Sequence, residues 1–323
     1  MVTREARRVV VVGYDRCELL DIACVTSALD VANRLGATPA YEVVLATLRG
    51  ASIRCDSGLE VTAQAQLERV DPVLDTLVLS GGLGHVEAAA DVHLRQHVRR
   101  LAATARRVSS VCTGASVLAA AELLNGRRAT THWLYAPDLA ERYPAVDVDA
   151  APVYVRDGNV ATSGGVTAAL DLTLAFIEED HGRELARRVA MGLVTYLQRP
   201  GSQEQMSFYL RAPRSAHDTV SKVVNHVAAN LDGDLSPAVL ARVVSLSERH
   251  LGRLLTEHLG QSPGRLVKQA RLDAATQLLA TSVMPVGNVA AVTGFRSTEA
   301  LRQAFLAQHG TSPMRYRAGY RAG

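Results

Sequence analysis

At 323 residues and 48% hydrophobic content, the chain is too long for one ordinary core and suits two domains of about 100 to 200 residues each. Its cysteines (Cys17, Cys24, Cys55 and Cys112) show neither paired Cys-x-x-Cys spacing nor a disulfide framework, so reduced thiols and no metal or cofactor are expected. A net charge of +3 rules out a strongly polyelectrolyte chain, no apolar stretch approaches the roughly 20 residues of a membrane span, and MVTREARR leads into a strand rather than a secretory apolar core, which points to a cytoplasmic protein.

Residues 8–13, RVVVVG, are a β-branched apolar run of the kind a buried parallel strand needs. A helical pattern follows at 18–35. Further strands are expected at 41–47, 76–79, 107–111, 153–156 and 159–162, and helices at 88–105, 115–124 and 166–197. This alternation implies an α/β fold, a flavodoxin-like open, mostly parallel sheet with helices on both faces. Ligands bind beyond the carboxyl ends of the strands in such sheets. Two turns fall there, LSGGLGH at 79–85 and SSVCTG at 109–114.

In the second turn a cysteine sits where a strand meets a helix. Such a joint strains the backbone and exposes the side chain at the end of the sheet. The helix N-terminus behind Cys112 favours thiolate over thiol. The backbone N–H groups of Cys112, Thr113, Gly81 and Gly82 are candidates for an oxyanion-like pocket. His85 and His132 read as well as hydrogen-bonded structural residues as they do as bases. Cys17, Cys24 and Cys55 read as small packing residues.

From 198 to 217 the periodicity is lost and Pro, Gly, Ser and Gln accumulate, the mark of a linker. The expected organisation is therefore a domain at 1–197, a linker at 198–217 and an all-α domain at 218–323. Residues 217–323 hold 12 Lys+Arg against 7 Asp+Glu, and the rest of the chain 23 against 25. The basic end suits a polyanion partner.

Two segments of the second domain share one plan, residues 235–263 and 284–313. Each has a short helix after a proline-containing start, a turn (Val244-Ser245-Leu246, Thr293-Gly294-Phe295), a serine N-cap (Ser247, Ser297) and a second helix closing at glycine. The second helices begin 50 residues apart. This is a helix-turn-helix written twice around a connecting helix, and each second helix suits the DNA major groove. Leu251, Leu254 and Leu255 fall on the buried face of the first and Leu301 and Phe305 on that of the second. Ser247, Glu248, Arg249 and Arg253, and Ser297, Thr298, Glu299, Arg302 and Gln303, fall toward DNA, with Arg249, Arg253 and Arg302 as base or phosphate contacts.

The stretches GQSPGRLVKQARLDAA and VAAVTGFRSTEALRQAFLAQHGTSPMRYR resemble the AraC/XylS family of DNA-binding domains across about 220–316. That family implies sequence-specific binding to promoter DNA. Ser245 replaces the usual turn glycine, which suggests an altered first turn, and Gln303 replaces a usual arginine. LSGG, SVCTGASVLAAAELL, TTHW and TSGGVTAALDLTLAF resemble the PfpI branch of the class I glutamine amidotransferase-like superfamily over about 7–195. The combination resembles the GlxA-type transcriptional regulators. By position the resemblance makes Cys112 the elbow residue, Asp21 the acid that contacts it and His132 a pocket histidine. Thr113 stands where PfpI proteases carry the histidine that serves amide hydrolysis.

These readings favour a homodimeric DNA-binding transcriptional regulator whose first domain senses a small metabolite or redox signal near Cys112. The alternative is a cysteine-dependent hydrolase or hydratase, of isonitrile-hydratase or amidase type, joined to a DNA-binding domain.

Overall fold

The computed structural model describes residues 6–195, 199, 201–203, 205 and 218–321. The chain divides into two compact units, Met1–Gln205 and Met206–Gly323.

In chain order the strands of the first unit are β1 (Arg7–Val12), β2 (Tyr41–Thr47), β3 (Ile53–Arg54), β4 (Glu60–Val61), β5 (Ala65–Gln66), β6 (Thr76–Leu79), β7 (Arg107–Ser110), β8 (Arg128–Ala129), β9 (Asp147–Val148), β10 (Tyr154–Asp157) and β11 (Val160–Ser163). Seven form one sheet in the order β10-β11-β7-β6-β1-β2-β5. All its neighbours are parallel except β10 against β11. Val9 to Val12 are all buried, because helices cover both faces and leave no solvent side for an alternating pattern. Setting aside the two-residue β5, the parallel strands run second, first, third, fourth, fifth. That is the flavodoxin-like order, with its crevice at the carboxyl ends of β1 and β6.

The helices of this unit are α1 (Leu19–Arg34), α2 (His85–Ala90), α3 (Val92–Ala102), α4 (Ala115–Ala120), α5 (Ala136–Arg142), α6 (Thr167–His181) and α7 (Arg183–Gly192). Two expected long helices are broken for local reasons. Asp91 ends α2 and caps α3 by accepting the N–H groups of His93 and Leu94, a stronger local choice than continuing. Gly182, at φ +87°, separates α6 from α7.

Residues 201, 203 and 205, which the sequence reads as linker, hydrogen-bond within the first unit. Val153 N–H donates to Gln203 O at 2.7 Å, Tyr154 N–H to Gly201 O at 3.3 Å, and Gln205 N–H to Ala151 O at 2.8 Å. Residues 198, 200, 204 and 206–217 of that linker lie outside the described residues.

The second unit is helical: α8 (Asp218–Ala229), α9 (Pro237–Val243), α10 (Glu248–Leu259), α11 (Pro263–Thr281), α12 (Val286–Val292), α13 (Thr298–His309) and α14 (Pro313–Arg321). It holds two apolar clusters. One gathers Leu240, Leu251, Leu255 and the first half of α11 (Leu266, Ala270); the other gathers Val289, Leu301, Phe305 and the second half of α11 (Leu272, Ala275, Leu279). Helix α11 is thus shared between both helix-turn-helix units. Leu231 O fixes them further, accepting Arg271 Nε at 2.9 Å while Arg271 Nη2 reaches Gly233 O at 2.8 Å.

The first turn is not altered by its serine. Ser245 has φ +55°, in the same left-handed region as Gly294 at +75° in the second turn. The surrounding packing dictates the turn, and Ser245 carries the strain of a side chain there, on the order of 1–2 kcal/mol. Glycine would relieve it but loosen the unfolded chain by about 0.5–1 kcal/mol. Ser245→Gly is therefore expected to stabilise the second unit, by up to about 1 kcal/mol. Gly294→Ala should destabilise it by more, since an added Cβ would stand 1.9 Å from Leu231 O. Urea unfolding of the full chain measures both.

Candidate functional site

The buried face of α1 is apolar (Ile22, Val25, Ala28, Leu29, Ala32) except for Asp21 in its first turn. That carboxylate is wholly buried and joins two strand ends. Oδ2 accepts the Gly81 N–H at 3.1 Å, beyond β6, and Oδ1 the Val166 N–H at 2.9 Å, beyond β11. The Cys112 thiol, beyond β7, faces the same carboxyl. Burial raises the Asp21 pKa to about 7, although the N–H groups of Val166 and Gly81 pull it back down. Desolvation exceeds the two hydrogen bonds, so the acid is part-protonated near neutrality.

Cys112 has φ +52°, the strained elbow that the sequence implies. The glycines around it make the space. A Cβ on Gly81 would lie 2.4 Å from Cys112 Cβ and 2.6 Å from Asp21 Oδ2; one on Gly114 would lie 2.4 Å from Leu79 O. A Cβ on Gly165 would stand 3.0 Å from Cys112 Sγ and 2.6 Å from His132 Cδ2, so the absence of a side chain at Gly165 lets the thiol and the histidine share the space over it.

Two expectations are corrected. The thiol is not an exposed, activated thiolate: Cys112 is only 7% exposed, and burial first, then the Asp21 charge, push its pKa well above the usual thiol value. The opposing helix terminus is weak, because a three-residue turn leads into a helix of only six residues. Nor do the N–H groups form a free oxyanion pocket. Cys112 N–H donates to Gly164 O at 3.1 Å, Gly81 N–H to Asp21, and Gly82 N–H to Thr113 Oγ1 at 2.9 Å. The Thr113 N–H faces the Cys112 sulfur. Thr113 Oγ1 also donates to Gly82 O at 2.8 Å, so its hydroxyl holds Gly82 from both sides.

His132 Nδ1 accepts the Leu134 N–H at 3.3 Å. Its ring lies 5.7 Å from those of Trp133 and Tyr135, and burial lowers its pKa, which favours the neutral ring. His85 Nδ1 pairs with Ser116 Oγ at 3.0 Å and its ring meets Tyr135 edge-on; it is a hydrogen-bonded structural residue. Cys17 and Cys55 are buried with their sulfurs 3.6 Å apart. Sequence reasoning missed Tyr14, whose buried hydroxyl donates to Ser80 O at 2.9 Å and feels both Cys112 and Asp21. Its place two residues after β1, at a strand's carboxyl end, was the available signal. It also missed Gly165 and Val166, for which composition offered none.

In the second unit the nine residues read toward DNA are all exposed. Ser247 and Ser297 cap their helices by accepting the N–H groups of His250 and Ala300. Among the described residues Arg249 and Arg253 make no ion pair. Arg302 is tied to Glu299 by two bonds of 2.7 Å, and Gln303 donates to the same carboxylate at 3.1 Å; these bonds hold Glu299 down to about 2. The first second-helix thus presents unpaired arginines, and the other a paired one.

A cysteine elbow on an open α/β sheet, followed by a double helix-turn-helix, defines a two-domain class. The DJ-1/PfpI family model matches residues 7–179 and a helix-turn-helix domain model matches residues 240–319; the chain belongs to the DJ-1/PfpI family and carries a helix-turn-helix domain after that fold. It is 32% identical over 304 residues to the HTH-type transcriptional regulator GlxA of Rhizobium meliloti, covering 93% of each chain. It is 38% identical over 159 residues to isonitrile hydratase of Pseudomonas putida, covering 49% of this chain and 68% of that one. A crystal structure of a THiJ/PfpI family protein from Pseudomonas syringae shares the fold at a TM-score of 0.56 and 24% identity, covering 70% of this chain and 88% of that one. Among the described residues no helix is long and apolar enough to cross a membrane, and no group of three His, Cys, Asp or Glu residues gathers as metal ligands.

Because the folded Asp21 binds its proton more tightly than the unfolded one, the native state holds the extra proton between pH 4 and 7. Stability is then expected to fall as pH rises through that window. Asp21→Asn should remove that contribution, measured by urea unfolding of both proteins from pH 4 to 8.

Proposed function

We propose that the chain is a sequence-specific DNA-binding transcriptional regulator that acts as a homodimer and whose first unit binds a small metabolite beside Cys112. The observation that carries the DNA reading is the pair of exposed second helices on one shared helix, α11. Its 19 residues span about 28 Å, which suits two helices addressing successive major-groove faces roughly 34 Å apart. The basic balance of residues 217–323 and the similarity to GlxA along nearly the whole chain support it. A twofold-symmetric assembly suits a palindromic operator.

Selection of bound sequences from a random duplex pool tests the DNA reading; recovery of no preferred sequence at moderate salt overturns it. Arg249→Ala and Arg253→Ala are each expected to weaken binding by about 1–3 kcal/mol where the arginine reads a guanine, and to reduce the salt slope by about 1 where it meets a phosphate.

For the first unit, metabolite binding is favoured over redox sensing. Sulfenic acid formation needs a thiolate, and burial together with Asp21 opposes one at Cys112. A second reading, a cysteine-dependent hydratase or hydrolase, is favoured by the similarity to isonitrile hydratase and by the contact between Cys112 and a part-protonated Asp21. In it Cys112 would attack and Asp21 would supply or hold the proton. The raised thiol and the engaged N–H groups weigh against it. Turnover of an isonitrile is expected to be absent; turnover abolished in Cys112→Ser would establish the enzymatic reading instead.

A further inference from the structure

We infer that residues 199, 201–203 and 205 form a strap that couples the Cys112 site to the chain leading into the DNA-binding unit, with Gln205 as its latch. The inference rests on the regulator reading above and adds to it the element that carries the signal. Residue 205 is the last of the first unit, so whatever moves it moves the start of the connection to the second.

The latch is made by one side chain. Gln205 Nε2 donates to Thr131 O at 2.7 Å and lies 3.2 Å from Thr130 Oγ1, Ala150 O and Pro152 O. Its Oε1 accepts the Trp133 N–H at 3.2 Å. One amide thus meets both donor and acceptor groups, which no apolar or singly charged side chain can do. Gly164 leaves the room: a Cβ there would stand 2.5 Å from Gln205 Cδ.

Two partners of the latch, Thr131 and Trp133, and the glycine beside it adjoin the Cys112 site. Thr131 Oγ1 donates to Cys112 O at 2.8 Å, and Trp133 follows His132. Gly164 O accepts the Cys112 N–H and precedes Gly165, against which both Cys112 and His132 pack. The other end of the strap repeats the arrangement on α6. The Arg199 N–H and Nε bond to the buried Asp171 carboxylate at 2.7 and 2.8 Å, and Nη2 reaches Thr167 Oγ1 at 2.8 Å. Thr167 follows Val166, whose N–H holds Asp21. The strap therefore bonds to both segments beside Cys112, the 130–133 loop and the 164–167 turn, and an occupant that displaces either segment strains its hydrogen bonds.

A double-mutant cycle in the full-length chain tests this. Gly165→Ala serves as a fixed wedge, since its methyl group meets His132, an end-on side chain able to move. Gln205→Ala removes the latch, and Gln205→Glu, which sets a carboxylate against carbonyl oxygens, releases it by a second route. Affinity is read against the duplex selected by the wild type. Gly165→Ala is expected to change it about fivefold or more, the lower end of ordinary coupling, and less than twofold in either Gln205 background. Trp133, the chain's single tryptophan, gives a fluorescence reading at the latch, and hydrogen exchange at the amides of Val153, Tyr154 and Gln205 should rise in Gly165→Ala. Equal effects of the wedge in all backgrounds, or unchanged exchange at those amides, overturn the strap. If the wild type selects no duplex, the regulator reading fails, whereas the exchange and fluorescence measurements still decide the strap.

Discussion

A single buried carboxyl organises the first unit. Asp21 comes from α1, yet its oxygens hold N–H groups beyond β6 and β11 and its outer edge meets the thiol beyond β7. Three separate strand ends are thereby fixed to one helix. The same environment that makes these bonds strong, exclusion of water, also makes the charged carboxyl costly. Asp21 is consequently raised to about 7, and its charge and burial together keep Cys112 a thiol. The elbow geometry of an enzyme is present without the activated nucleophile that usually accompanies it.

The second unit solves a different problem, that of setting two reading helices at fixed separation. Two small apolar clusters would drift if joined by a flexible segment. Sharing α11 between them, with Leu231 O pinned to Arg271 and packed on Gly294, makes the pair one rigid body. The left-handed backbone at Ser245 and Gly294 is a consequence of that packing. Serine accepts the conformation at a cost, and glycine accepts it without one.

Much of the fold was legible because long apolar runs and cap residues act locally. RVVVVG at the first strand, the serine caps at 247 and 297 and the glycines after α10 and α13 all stand where residue chemistry places them. The breaks at Asp91 and Gly182 were hidden by helical periodicity on both sides. Gly201, Gln203 and Gln205 read as linker because residues that bond to an edge of the sheet through their backbone need no periodic pattern of their own. At the site, Cys112, Asp21 and the Gly81-Gly82 turn were visible as residue types in suggestive turns. Tyr14, Gly165 and the latch of Gln205 were not, since their roles come from neighbours 33 or more residues away.

The sequence by itself determined the two-domain plan, the parallel α/β sheet, the cysteine at a strand-to-helix turn and the doubled helix-turn-helix, because periodicity, capping and turn chemistry are short-range. Only the tertiary structure decided the state of the cysteine and the fate of the surrounding N–H groups. Both depend on desolvation and on which distant groups share the buried space, and neither quantity is carried by any local run of residues. The thiol that the sequence's helix terminus was expected to shift toward thiolate is kept neutral by burial beside Asp21.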